Sequence, residues 1–157
     1  MQQTLFVPAG VPREAGRTHW TDGWDGYPAA RERLVSALVA RRTANPVIIG
    51  GDVHATYVAD VHEKPDDSAT PIVATELCGT SITSQGPGAK FLADMRAANP
   101  HVRYANGADR GYVVLDISRE KIEARLRALA DVKSANSTIA TAATFEVEAG
   151  RPGVRRS

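Results

Sequence analysis

The stretch Pro46-Val47-Ile48-Ile49-Gly50-Gly51-Asp52-Val53-His54 decides the fold. Val47, Ile48 and Ile49 form a run too short and too uniformly apolar for a helix, and all are β-branched, so they read as a buried strand. A loop follows at once. In open α/β sheets, ligands bind beyond the carboxyl ends of the strands. Gly50 and Gly51 let backbone approach closely there. Asp52 and His54 stand two positions apart, a spacing that turns both side chains to one side of an extended loop. A carboxylate and a neutral imidazole on one face suit a divalent or trivalent cation. The competing reading has Asp52 capping a turn and His54 as a satisfied polar residue.

Toward the N-terminus, Pro28 to Thr43 reads as an amphipathic helix. Leu34, Leu38 and Arg41 recur at helical spacing beside Val35 and Val39, and Asn45-Pro46 ends the pattern. Pro28 takes an early position, where its missing N–H costs nothing. Residues 1–26 are broken by Gly10, Pro12, Gly16, Gly23 and Gly26 and read as a loop leader. Within and just after it, Trp24, Asp25 and Tyr27 form an aromatic and acidic cluster suited to lining a substrate cleft. Alternatively, Trp24 plugs the edge of the core and Asp25 caps the helix at Pro28.

Toward the C-terminus, Thr56 to Val61 and Ile72 to Leu77 read as strands around a polar turn, Lys64 to Thr70. Thr80, Ser81 and Ser84 lie in a Gly79 to Gly88 loop, where they either contact phosphate oxygens or serve as plain loop. Lys90 to Ala98 is a short helix. His101 to Tyr104 and Gly111 to Ile117 look like a hairpin around Asn106-Gly107. Ile122, Ala124, Leu126 and Ala128 alternate with charged residues as in a half-exposed strand, although their composition also favours helix. Thr138 to Val147 is a last strand, and residues 151–157 read as a frayed basic tail. Arg110, beside a glycine at a strand start, is a candidate phosphate contact. His19, His62 and His101 read as solvated. The lone cysteine, Cys78, lies in an apolar run and reads as an inert buried thiol.

The 157 residues make one domain by length, with 43% hydrophobic and 24% charged residues. A net charge of +1 argues against a nucleic-acid role driven by bulk charge. The longest apolar stretch, around Pro46 to Ile49, is far too short for a membrane span. Met1 to Pro8 lacks the basic flank and apolar run of a signal peptide.

Several stretches in order carry a resemblance. They are Asp22-Gly23-Trp24-Asp25-Gly26-Tyr27, then the stretch ending in Asp52-Val53-His54, then Glu76 through Ser84 (ELCGTSITS), Asn99-Pro100-His101, and Arg110-Gly111-Tyr112-Val113. From about Asp22 onward the chain resembles the C-terminal region of the PhoD-like alkaline phosphatases. The resemblance implies an α/β fold: the C-terminal part of a metallophosphatase-type sandwich, strand-rich with two helices, over residues 27–150. It implies hydrolysis of phosphate monoesters and diesters, with iron and calcium as cofactors, and it assigns Asp52 and His54 as metal ligands. Trp24, Asp25, Tyr27 and Arg110 are the substrate-binding candidates, and no catalytic residue is assigned.

A pair of metals about 3.5–4 Å apart can activate water, clamp the equatorial oxygens and help the leaving oxygen. Such a pair needs roughly six to eight protein ligands, and this chain offers two in one motif. The family's earlier motifs, D-x-H, G-D-x-x-D and G-N-H-[DE], are not found within Met1 to Gly26. Cys78 does not replace the family's iron-binding cysteine, which belongs to that earlier part. The expectation is therefore a truncated or split enzyme. Residues 1–21 are either the tail of a longer protein or an unrelated leader. The expected partners are a phosphate ester and either a missing N-terminal half or a second copy, meeting strands Val47 to Ile49 and Ile72 to Leu77 left uncovered. The family is typically exported. The alternative is a non-catalytic remnant or binding module that keeps the scaffold and a weak cation site.

Overall fold

A computed structural model describes residues 1–14 and 16–157. In chain order the strands and helices are β1 (Val11–Arg13), β2 (Gly16–Thr18), α1 (Pro28–Ala40), β3 (Val47–Gly50), β4 (Thr56–His62), β5 (Ile72–Cys78), α2 (Ala89–Ala98), β6 (Val102–Asn106), β7 (Arg110–Ile117), β8 (Lys121–Leu129), β9 (Ile139–Glu148) and β10 (Arg151–Arg156). A single 3-10 turn, Trp24–Gly26, precedes α1. The result is the strand-rich, two-helix α/β arrangement expected.

Two four-stranded sheets, ordered β3-β5-β4-β6 and β10-β9-β8-β7, stack through a shared core. β4 shows why. It is buried at every position, and its period-two alternation divides it between two cores. Tyr57, Ala59 and Val61 face Val35, Leu92, Met95 and the N-terminal segment. Val58 faces Ala124, Leu126, Phe145 and Val147 of the second sheet. Tyr104 and Phe145 close that inter-sheet layer edge-to-face, with centroids 5.5 Å apart. β3 runs parallel to β5, whereas the other strand pairs are antiparallel.

Several expectations need correcting. β6 and β7 do not form a hairpin: β6 pairs with β4 and β7 with β8, so Asn106-Gly107 carries the chain from one sheet to the other. The Asn106 side chain accepts from the N–H groups of Ala108 and Asp109 at 2.8 and 3.0 Å and redirects the backbone. Residues 151–157 are not frayed. β10 pairs with β9, and the N–H of Val154 donates to the buried Asp60 carboxylate at 3.0 Å. Helix α1 stops at Ala40 because Arg42 adopts φ 49 and the N–H of Thr43 bonds the Leu38 carbonyl, a left-handed cap. Its buried positions are Arg31 and Val35, while Leu34 is exposed. β5 is not left uncovered: β3 and β4 pair with it on both sides, and it is buried from Ala74 onward. β3, at the sheet edge, is half-buried throughout.

Residues 1–26 are more than a loop. β1 and β2 form a small ribbon, and Leu5, Phe6 and Val7 enter the core.

Candidate functional site

The loop after β3 places Asp52 and His54 on the wall of a cavity of about 490 Å³. Both are exposed. The local geometry is not the extended loop that their spacing suggests. Asp52 has φ 66 and His54 φ 55, both in the left-handed region that disfavours residues with a Cβ, at about 1–2 kcal/mol each. Such strain persists only where the surroundings over-determine the backbone. Here they do. The N–H of Gly51 bonds the Gln3 carbonyl at 2.9 Å and the N–H of Val53 bonds the Gly51 carbonyl at 2.8 Å. Glycine at position 50 admits this contact: a Cβ there would lie 2.4 Å from the Thr4 carbonyl oxygen. On the far side, Gly86 approaches so closely that its Cβ would lie 2.3 Å from the His54 carbonyl oxygen.

A second wall of the cavity comes from a strap, residues 2–10. It lies in no four-stranded sheet, yet Leu5, Phe6 and Val7 are buried. Buried backbone groups need partners, and side chains supply them. Glu76 accepts from the N–H groups of Phe6 and Val7 at 2.7 and 2.9 Å. Arg31 donates to the Phe6 carbonyl at 3.3 Å and His101 Nε2–H to the Pro8 carbonyl at 2.8 Å. Asp25 accepts from the Ala9 N–H at 3.1 Å, and both Asn99 and Arg17 donate to the Gly10 carbonyl at 2.8 Å. Burial pushes the Glu76 carboxyl up to about 7, against the opposing pull of the two N–H donors and Arg31. Burial likewise lowers the pKa of His101.

Asp25 is neither a helix cap nor an open cleft acid. Tyr27 occupies the cap position of α1 without a side-chain bond. The Asp25 carboxylate takes Arg31 at 2.6 Å, His19 Nδ1–H at 3.1 Å and the Ala9 N–H. Burial opposes its charge, yet these three donors outweigh burial and hold the carboxyl below its ordinary range. Trp24 lines the same cavity as Asp52 and His54, packs edge-to-face on Phe6 at 4.9 Å, and donates its indole N–H to Gln2 at 2.9 Å.

Tyr27 and Arg110 do not line that cavity. Tyr27 is largely exposed, and Arg110 donates to the carbonyls of Gly107 and Asp109. Thr80 donates to the Asp109 carbonyl at 3.2 Å and Ser81 to the Ser84 carbonyl at 2.5 Å, so both tie the loop together. The histidines are not simply solvated. His19 bonds Asp25, and His62 and His101 are buried. Cys78 is buried, as expected, and burial first, then the charges of Glu76 and Asp52, raise its thiol pKa.

Sequence reasoning missed Glu76, Arg31 and Asn99 as anchors. A signal existed for the first: Glu76 is the one acid in the apolar run Ile72 to Cys78.

The donor set of Asp52 and His54 fits a hard or borderline cation. The Asp52 carboxylate receives a single long contact of 3.5 Å, from Gln3, which leaves its oxygens available toward the cavity. Among the described residues no group of three or more His, Cys, Asp or Glu converges to hold an ion. Among them, too, no helix is long and apolar enough to cross a membrane.

Comparison with known proteins places this arrangement. The chain is 33% identical to "Alkaline phosphatase D" of Bacillus subtilis (strain 168) over 158 aligned residues, covering 99% of this chain and 27% of that protein. It superposes with TM-score 0.89 and 32% identity on a solved structure described as "Structure of PhoD", covering 99% of this chain and 30% of that one. The chain thus spans under a third of the length of these relatives. The likeness starts before Asp22: a profile described as PhoD-like phosphatase matches residues 1–126, so the strap and the Asp52–His54 loop fall within one family pattern. The chain belongs to the PhoD-like phosphatase family.

Proposed function

We infer that this chain carries one wall of the active site of a metal-dependent phosphate-ester hydrolase. Asp52 and His54 act as ligands to the iron and calcium that the family resemblance implies. The observation that carries this reading is that both residues, strained into left-handed backbone, open into one cavity. A bound metal would supply an activated water and charge neutralisation at the phosphoryl oxygens. This chain's own groups do the rest. Asp52 and His54 present oxygen and nitrogen to the cation. Trp24 and the buried strap wall limit water, and Asp25, held by Arg31 and His19, fixes the strap's far end. Tyr27 and Arg110 stand outside the cavity and take no part in this reading. Two ligands do not complete a two-metal centre, so full turnover requires ligands from a further polypeptide segment.

The test is calcium titration of the 157-residue chain by calorimetry, with parallel turnover on a generic aryl phosphate. Weak calcium binding that disappears in Asp52→Ala, with little or no turnover, is expected. Unchanged binding in that variant overturns the ligand assignment. The second reading, a non-catalytic binding module with one weak cation site, is supported by the missing third ligand among the described residues. Turnover restored by supplying the remaining segment in trans decides against it.

A further inference from the structure

The left-handed backbone at Asp52 and His54 is held from two sides. On one side β5 supplies the bonds: the N–H of Gly79 donates to the Gly50 carbonyl at 2.9 Å, and the Cys78 thiol to the Gly51 carbonyl at 3.5 Å. On the other side the partners are Gln2 and Gln3 of the strap. The Gln2 N–H donates to the Ile49 carbonyl at 2.9 Å, and the Gln3 carbonyl accepts from the Gly51 N–H at 2.9 Å. The Gln3 amide reaches an Asp52 carboxylate oxygen at 3.5 Å. The two segments are in close contact: a Cβ on Gly50 would lie 2.4 Å from the Thr4 carbonyl oxygen and 2.6 Å from Gln2 Nε2. A small slide of the strap therefore moves the loop that carries Asp52 and His54.

Gln2 and Gln3 lie in no strand, so their place is set further along the strap. Glu76 sets it. Its two carboxylate oxygens take one N–H each, Oε1 from Phe6 at 2.7 Å and Oε2 from Val7 at 2.9 Å. A fully buried carboxylate on β5 that grips two successive N–H groups fixes the strap against both sliding and rotation. Trp24 carries that constraint to the start of the strap. Its ring packs edge-to-face on Phe6 at 4.9 Å, and its indole N–H donates to Gln2 Oε1 at 2.9 Å. The same oxygen accepts from the Thr4 N–H at 3.0 Å. We propose that Glu76 is a positioning residue for the Asp52–His54 loop, acting through the register of the strap. Its bonds go to Phe6 and Val7 and not to the loop, so its effect on a bound cation is indirect. That effect rests on the reading of Asp52 and His54 as ligands, whereas the effect on the loop backbone does not. Groups that hold metal ligands in place are worth roughly 10–100-fold in metal affinity.

Three variants of the intact chain test it. Glu76→Gln keeps the shape but leaves one acceptor oxygen for two N–H groups, with an amide NH2 facing the other donor. Trp24→Phe removes the indole N–H from Gln2, keeps a ring against Phe6 and changes no charge. Phe145→Leu loosens the core between the two sheets, away from the strap, and is the control. The first readout is hydrogen exchange at the Gly51 amide without calcium. It should accelerate about tenfold in Glu76→Gln and about threefold in Trp24→Phe, and stay within about twofold of the parent in Phe145→Leu. The second is calcium affinity by calorimetry, which should fall about tenfold in Glu76→Gln and about threefold in Trp24→Phe. Unchanged Gly51 exchange in Glu76→Gln, or equal acceleration in all three variants, overturns the proposal. A calcium affinity that falls in Glu76→Gln but not in Trp24→Phe reports charge alone and overturns it too. If the parent binds no calcium, the ligand assignment fails and Gly51 exchange by itself decides. If Glu76→Gln does not fold, unchanged Gly51 exchange in Trp24→Phe overturns the proposal.

Discussion

The strap and the β7–β10 sheet are held in place by opposite means. In the sheet, β7, β8 and β9 pair in continuous antiparallel register and satisfy their backbone groups with one another. From Phe6 to Gly10 the strap runs through the core without such a ladder, and its backbone bonds there end on the side chains of Glu76, Arg31, His101, Asp25, Asn99 and Arg17. A ladder tolerates changes of side chain because the bonds are main-chain. A side-chain cradle does not, because each anchor is one residue and its loss leaves a buried group unpaired. The candidate site uses both: the loop of Asp52 and His54 extends from a sheet, and a second wall is the cradle.

The largest expected effect is at Glu76. Glu76→Ala orphans two buried N–H groups at about 1–3 kcal/mol each, so urea unfolding should show a loss of about 4 kcal/mol. A loss below 1 kcal/mol would mean that water replaces the carboxylate, and the contrast with the sheet would collapse.

The second effect is on pH. Glu76 ionises near its ordinary 4.5 in the unfolded chain and at about 7 in the fold. A raised folded pKa contributes stability that is fully present below pH 4.5 and lost as pH rises through 7. The loss across that window is about 3 kcal/mol. His101 acts in the opposite sense: its lowered pKa contributes stability above 6.5 that is lost as pH falls. Glu76→Gln should therefore remove the decline between pH 4.5 and 7, whatever its offset from the parent, when unfolding midpoints are compared across that range. An unchanged slope would show that the carboxyl is not the titrating group.

The smallest effect is on the sheet. Arg125 bridges Asp116 at 2.6 Å and Glu123 at 2.9 Å on a half-exposed face. Arg125→Ala should cost less than about 1 kcal/mol, since exposed pairs contribute little. A loss above twice that would show that the sheet, too, leans on its side chains.

The same contrast explains what was legible in the sequence. The alternation of Ile122, Ala124 and Leu126 and the β-branched run Val47 to Ile49 report main-chain ladders through the period of their own side chains, and both are strands. The pair Asp52 and His54 was legible as a polar couple after a strand, although their shared cavity arises from left-handed backbone and not from extension. The strap was not legible. Gly10, Pro12 and the glycines after them made residues 1–26 read as loop, and the residues that make the strap core lie 69 to 93 positions away in Glu76, Asn99 and His101. Asn106-Gly107 misled for a related reason: a turn dipeptide states that the chain reverses, not which sheet receives it.

The distance between the strap and its anchors also orders events during synthesis. Leu5 to Gly10 are made well before Glu76, Asn99 and His101, which follow them by many residues. Until then Arg17, Asp25 and Arg31 are the anchors available, and the apolar side chains of Leu5, Phe6 and Val7 have no sheet to cover them. Over that interval the nascent chain therefore carries an exposed apolar segment, and the strap closes the candidate site only when the chain has passed His101.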